Sequence, residues 1–162
     1  MDDNARGAAG ASLVVERADP TGEDALRLVQ MSEDELAPHY PPEDRFAYSP
    51  EKLVARGVFF VMARNGGGAV GCGGLEACDG YGELKRMYVT PEARGSGAAA
   101  AILSALEAEA SRLALPLLRL ETGIHQHAAM AFYRRHGFGV CGRFGDYPVN
   151  GTSVYMEKRL AP

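Results

Sequence analysis

Apolar and polar residues alternate from Ser12 to Ala18, which predicts an opening strand. From Thr21 to Met31 the apolar positions Ala25, Leu26, Val29 and Met31 fall at helical spacing, and Thr21 is placed to cap that helix. Pro38-His39-Tyr40-Pro41-Pro42-Glu43-Asp44 predicts an irregular loop, because proline lacks an amide donor and clashes with a preceding helical turn. Ser49-Pro50 has the order of an N-cap followed by proline at the first helical position, opening a short helix to Arg56. Val58 to Ala63 and Ala69 to Ala77 read as apolar strands joined by the turn Asn65-Gly66-Gly67-Gly68. Asp79-Gly80 turns the chain again into a third strand, Glu83 to Val89, so the first half ends in an antiparallel meander.

The second half changes period. Ile102, Leu103, Leu106, Ala110 and Leu113 share one face of a helix from Ala98 to Leu113. A strand follows at Leu117 to Glu121, then a helix from His127 to His136 that stops at Gly137, a residue suited to a left-handed cap. Val140 to Phe144 and Ser153 to Arg159 are the last two predicted strands. A strand, a helix and a strand with short links imply that Glu83–Val89 and Leu117–Glu121 run parallel through a right-handed crossover. The expected class is therefore α/β (α+β), with a mixed, mainly antiparallel central sheet, one parallel strand pair and helices on both faces. Residues 1–10 read as a flexible tail rich in Ala and Gly, and 11–162 as a single domain.

Composition narrows the function. The net charge of -4 lacks the basic surface that a nucleic-acid partner requires. No apolar run approaches the roughly 20 residues of a membrane helix, and the N-terminal residues lack the pattern of a signal peptide. Cys72, Cys78 and Cys141 have no metal-site spacing and fit free thiols in a reducing, cytoplasmic compartment.

The chemistry concentrates after the third meander strand. Pro91 stops that strand, and Arg94-Gly95-Ser96-Gly97-Ala98-Ala99 leads into the long helix. A helix N-terminus carries unpaired amides and partial positive charge, so it attracts phosphate. Gly95 and Gly97 let backbone approach an anion closely, and Arg94 adds a full charge. Alone, these glycines equally fit a tight strand-to-helix turn.

Arg94-x-x-Gly97-x-Ala99 resembles the coenzyme A pyrophosphate signature of the GNAT superfamily of N-acetyltransferases. The preceding Leu84-Lys-Arg-Met-Tyr-Val89 is similar to that family's fourth strand. Ala129-x-x-Phe132-Tyr133-x-x-x-Gly137-Phe138 resembles its second signature, on the helix after the fifth strand. The resemblance covers roughly Leu13 to Leu160. It implies a bulge that splays the fourth strand from the fifth, with the pantetheine arm pairing to exposed backbone as an added strand would. The co-substrate it implies is acetyl-CoA, held by backbone at Met87, Tyr88 and Val89 and by the amides of Arg94, Gly95, Ser96, Gly97, Ala98 and Ala99. Many members have Asn seven residues before the tyrosine; this chain has Gln126, whose longer amide is the expected substitute contact. His125 and His127 flank it without a third partner at ligand spacing, so no metal is expected.

Attack by an amine on a thioester requires a base, because an alkyl ammonium has a pKa of about 10. The resemblance puts Glu83 at the position of a glutamate base found in part of the family. The residues alone equally fit a solvated strand start or a partner of Lys85 or Arg86. Glu121, at the end of the fifth strand, is the second candidate. Tyr133 matches the tyrosine that often protonates the coenzyme A thiolate; its other reading is core packing beside Phe132. The loop Pro38 to Ser49 and the segment Gly145 to Ser153 are expected to cover the acceptor, a small-molecule amine. A homodimer is compatible with the resemblance. Two other functions fit part of the pattern: a non-catalytic acetyl-CoA-binding regulator, and an NAD-dependent oxidoreductase suggested by Gly95-x-Gly97-x-x-Ala100.

Overall fold

The computed structural model describes residues 12–162, so the expected tail over residues 1–10 and the domain start at 11 lie outside the described residues. In chain order the elements are β1 (Leu13–Arg17), α1 (Glu23–Leu36), α2 (Pro50–Ala55), β2 (Phe59–Asn65), β3 (Gly68–Cys78), β4 (Tyr81–Val89), α3 (Ala98–Arg112), β5 (Leu117–Gly123), α4 (His127–Arg135), β6 (Gly139–Cys141) and β7 (Ser153–Arg159). The strands form one seven-stranded sheet in the order β1-β2-β3-β4-β5-β7-β6. All neighbours are antiparallel except β4 and β5, the expected parallel pair. A sheet with one parallel pair is not the parallel sheet of a dinucleotide-binding domain, which removes the structural basis of the oxidoreductase reading.

Two apolar layers hold the helices on opposite faces. Ile102, Leu103 and Leu106 of α3 and Met130 and Tyr133 of α4 pack with Leu84, Leu118, Leu120 and Met156. Ala25 and Leu28 of α1 and Leu53 of α2 pack with Phe60, Met62 and Cys72 on the other face. Leu118 and Ile102 are wholly buried; truncating such a side chain to Ala typically costs about 2–5 kcal/mol.

Some boundaries move for identifiable reasons. The inward row of α1 is Ala25, Leu28, Val29 and Ser32, while Leu26, expected inside, is exposed. Ser32 continues the buried row as a polar residue, which hid the helical period and made the expected helix stop short of Leu36. Thr21 does not cap α1: its amide and hydroxyl both donate to Asp19 Oδ1, at 2.8 and 2.7 Å, and Gly22 takes the cap position. Ser49 does cap α2, accepting from the Lys52 amide at 3.2 Å. The proline loop contains one 3-10 turn, Pro42–Asp44, closed by the Asp44 amide on the Pro41 carbonyl. β6 ends at Cys141 rather than Phe144, because Phe144 leaves the ladder and packs edge-on against Tyr81, Tyr147 and Tyr155.

The feature that positions the site is a bulge in β4. Gly74 pairs with Lys85 and Cys72 with Tyr88, so Arg86 and Met87 together oppose Gly73. Arg86 takes φ 54, an uncommon conformation for a residue with a Cβ. Gly73 makes the crowding possible: a Cβ there would stand 2.6 Å from Met87 Sδ and 2.7 Å from Ile102 Cγ2. Beyond the bulge β4 no longer follows β5. Their pairing is confined to Gly82 with Leu118 and Glu83 with Arg119. β5 remains paired to β7 as far as Gly123 with Ser153, so its other edge opens onto β4.

Candidate active site

The opening between β4 and β5 forms part of a cavity of about 710 Å3. Its lining contains Met87, Tyr88, Val89, Arg94, Gly95, Gly97, Ala98, Ala99, Gln126 and Tyr133, so most of the residues singled out in the sequence border one cavity. Ser96 and Glu83 are not among the lining residues. Ser96 Oγ instead accepts a long 3.4 Å bond from the Ala98 amide.

At one end stands the N-terminus of α3. Gly97 occupies its cap position with φ 91, and Gly95 has φ 82, a backbone that residues with a Cβ rarely adopt. A Cβ on either would meet nothing within 4 Å, so this turn faces open space. The first-turn amides of α3 have no partner four residues back and no acid in the first turn to neutralise them. The turn therefore has the geometry of an anion cradle, with Arg94 beside it. Arg94 is held by Glu35 of α1 through Nη2, at 2.7 and 2.9 Å, and by the Val89 carbonyl at 3.3 Å.

Glu121 and Tyr133 also line the cavity. Glu121 lies two residues past the last β5 rung that pairs with β4. Its Oε2 accepts from Ser153 Oγ at 2.6 Å. Burial is the main cause that lifts its carboxyl to about 7, with the nearby negative charge of Glu83 pushing the same way. A carboxylate poised there can accept a proton near neutrality. Tyr133 is buried in α4, stacked edge-on between Phe132 and Phe138. Burial pushes its phenol well above the ordinary tyrosine value, so it stays protonated as a donor.

Glu83 has a different environment. Only 5% exposed, it accepts from Lys85 Nζ at 2.5 Å and from the Tyr147 hydroxyl. Lys85 is 7% exposed, lies 3.2 Å from the Tyr147 hydroxyl and stacks over the Tyr48 ring at 4.1 Å. Of the sequence readings of Glu83, the geometry matches the ion-pair partner of Lys85. Burial, reinforced by the Glu83 charge, raises the Tyr147 phenol well above its ordinary value and keeps it protonated.

The Pro38–Ser49 loop borders the same cavity through His39, Tyr40, Asp44, Arg45, Phe46 and Ala47. Tyr40 fixes it to the start of α4: its hydroxyl accepts from the His125 amide at 2.9 Å and donates to Gln126 Oε1 at 3.3 Å. Gln126 is thus at the cavity wall, with its amide oxygen accepting from Tyr40. Among the described residues no group of three His, Cys, Asp or Glu is arranged to hold a metal, and no helix is long and apolar enough to cross a membrane. Sequence reasoning offered Lys85 as a partner of Glu83 but singled out neither Tyr147 nor the burial of Arg86. The signal for Tyr147 lay in the aromatic run Phe144-Gly-Asp-Tyr147; nothing local marked the burial of Arg86.

Comparison with known proteins agrees with this arrangement. Residues 24–138 match the model of the acetyltransferase (GNAT) family. An IAA acetyltransferase from Azospirillum brasilense is 35% identical over 151 residues, covering 92% of this chain and 99% of that protein. A solved structure from Klebsiella pneumoniae, assigned as an acyl-CoA N-acyltransferase, has a TM-score of 0.77 at 34% identity and covers 92% of this chain and 98% of its own. The PaiA N-acetyltransferase of Thermoplasma acidophilum, solved in complex with coenzyme A, shares the fold at TM-score 0.74 and 22% identity, over 92% of this chain and 99% of that one. The chain, with its splayed β4–β5 pair and its glycine turn before α3, belongs to the GNAT family of acetyltransferases and is an acyltransferase.

Proposed function

We propose that the protein transfers an acetyl group from acetyl-CoA to the amine of a small-molecule acceptor, by direct attack of the amine on the thioester. The observation that carries this reading is the gap between β4 and β5, which joins the α3 cradle to Glu121 and Tyr133 in one cavity. Residues Leu84 to Val89 are without a β5 partner, and a pantetheine arm can pair with that edge as a further strand. Its pyrophosphate then meets the amides and open glycines of the Arg94–Ala99 turn, with Arg94 exchanging Glu35 for phosphate.

Glu121, rather than Glu83, is the proposed base. It lines the cavity and its proton affinity is matched to neutral pH, whereas Glu83 is occupied by Lys85 and Tyr147. Glu121 takes a proton from the acceptor ammonium, directly or through water. The amine nitrogen bonds to the thioester carbonyl carbon, the carbon–sulfur bond breaks as the Tyr133 hydroxyl gives its proton to the departing thiolate, and the second proton shed by the nitrogen returns through water to the Tyr133 oxygen. Each proton transfer of this kind is typically worth about 10²–10⁴-fold in rate. The test is thiol release from acetyl-CoA with a panel of primary amines, with mass spectrometry of the product. Amine-dependent release with one acetylated amine per thiol supports the reading; release that no amine accelerates refutes it.

A further inference from the structure

We infer that the acceptor end of the cavity binds a carboxylate, so that the amine acetylated is one that also carries a carboxylate, as an amino acid does. This rests on the acetyl-transfer reading above and adds the chemical class of the acceptor. The bulge that opens β4 also turns Arg86 onto the face that α1 covers, next to Lys85, instead of the opposite face that strict alternation would give. Its side chain is 5% exposed. Nε donates to the Tyr48 carbonyl at 2.8 Å, and Nη1 forms an ion pair with Glu33 Oε1 at 2.6 Å. Arg45 approaches the same carboxylate from the loop: Nη1 donates to Glu33 Oε2 at 3.0 Å, while its buried Nε has no partner.

One carboxylate therefore serves two guanidinium groups, and Arg45 keeps a buried donor, Nε, without an acceptor. Buried guanidinium protons without acceptors are costly, and a second carboxylate supplies the missing acceptors in the forked geometry arginine favours. The two arginines line the cavity, whereas Glu33 does not, so an entering ligand meets the cations and not their shared anion. Asp44 lines the cavity as well, but among the described residues it forms no ion pair with Arg45 or Arg86. Arg94, the cation at the cofactor end, already has Glu35.

The experiment compares matched triplets as acceptors: an amino acid, its amide and the amine lacking the carboxyl group, across side chains of different size. Amino acids should exceed their amides in kcat/KM by about 10-fold or more, mainly through KM, as loss of a charged hydrogen bond implies. Arg45→Met should bring amino acids down to the level of their amides, and Arg45→Lys should recover part of the difference. Amides or plain amines as good as the amino acids, or an equal loss for every acceptor in Arg45→Met, would overturn the inference. If no member of the panel releases thiol, the acetyl-transfer reading fails, and the carboxylate site is then decided by binding alone. For that arm the side-chain Nε–H resonances of Arg45 and Arg86 are followed with N-acetylglycine and N-acetylglycinamide. Shifts with the acid and not the amide support the site; no shift, or equal shifts, overturns it.

Discussion

Glu83 and Lys85, two residues apart on β4, form an ion pair at 2.5 Å in which both side chains are less than a tenth exposed. Desolvation makes such a pair a small net gain, but removing one partner strands a buried charge. Glu83→Gln should therefore destabilise the protein by about 3 kcal/mol or more, read from chemical denaturation. The double variant Glu83→Gln with Lys85→Met should recover most of that loss and also retain turnover within about tenfold, since the proposed base is Glu121. Recovered stability with turnover lost by the 10²–10⁴-fold typical of a missing base would return that role to Glu83.

Glu121 gives a stability effect of known sign. Its folded-state value of about 7 exceeds the reference value of 4.5. Ionising it therefore costs folding free energy: nothing below the reference value, an increasing amount up to about pH 7, and the full amount above. Glu121→Gln should stabilise the fold by about 1–3 kcal/mol at pH 8 and change little at pH 4, because one pKa unit is worth about 1.4 kcal/mol. Urea denaturation at the two pH values measures this. A variant less stable at pH 8 than the wild type would show that the carboxylate is held by more favourable contacts than Ser153 alone provides.

Tyr133→Phe removes one oxygen from a ring packed between Phe132 and Phe138. Stability should change by less than about 1.5 kcal/mol, the net worth of a typical hydrogen bond. Turnover should fall by about 10²–10⁴-fold with KM values kept, because the proton moves only in the transition state. An acyl donor whose thiol is more acidic should restore part of the loss. Unchanged turnover with chemistry rate-limiting would reduce Tyr133 to a core residue.

Gly97→Glu puts a negative side chain on the turn before α3, at a backbone φ of 91 that a side chain resists. Acetyl-CoA binding by calorimetry should weaken by 100-fold or more, roughly the 2–3 kcal/mol of one charged contact plus its reversal in sign. The melting temperature serves as the control for folding. Undiminished affinity in a folded variant would move the cofactor away from this turn.

The sequence made the scaffold of the site legible because its signals are local. Gly95 and Gly97 before the apolar face of α3, and Gly137 after α4, mark helix ends by backbone chemistry that acts within a few residues. The bulge was not legible from the residues themselves. It depends on Gly73 of β3 facing Met87 and Ile102, a contact among three elements that no window along the chain contains. The same holds for Glu83: its partner Lys85 is two residues away and visible, but Tyr147, 64 positions on, completes the burial that sets its role. α1 was underestimated because Ser32 occupies an apolar position, and a polar residue in a buried row erases the period from which the helix is read.

In the proposed chemistry a proton leaves the acceptor to Glu121 inside the β4–β5 gap. Its most direct test is the pH dependence of kcat/KM for acetyl transfer, measured in wild type and Glu121→Gln with acceptors whose amines differ in basicity. A limb near pH 7 is expected in the wild type, unmoved by the choice of acceptor and absent in Glu121→Gln, because that carboxyl is raised to about 7 and must be ionised to accept the proton. A limb that follows the acceptor amine and is the same in both proteins would contradict it.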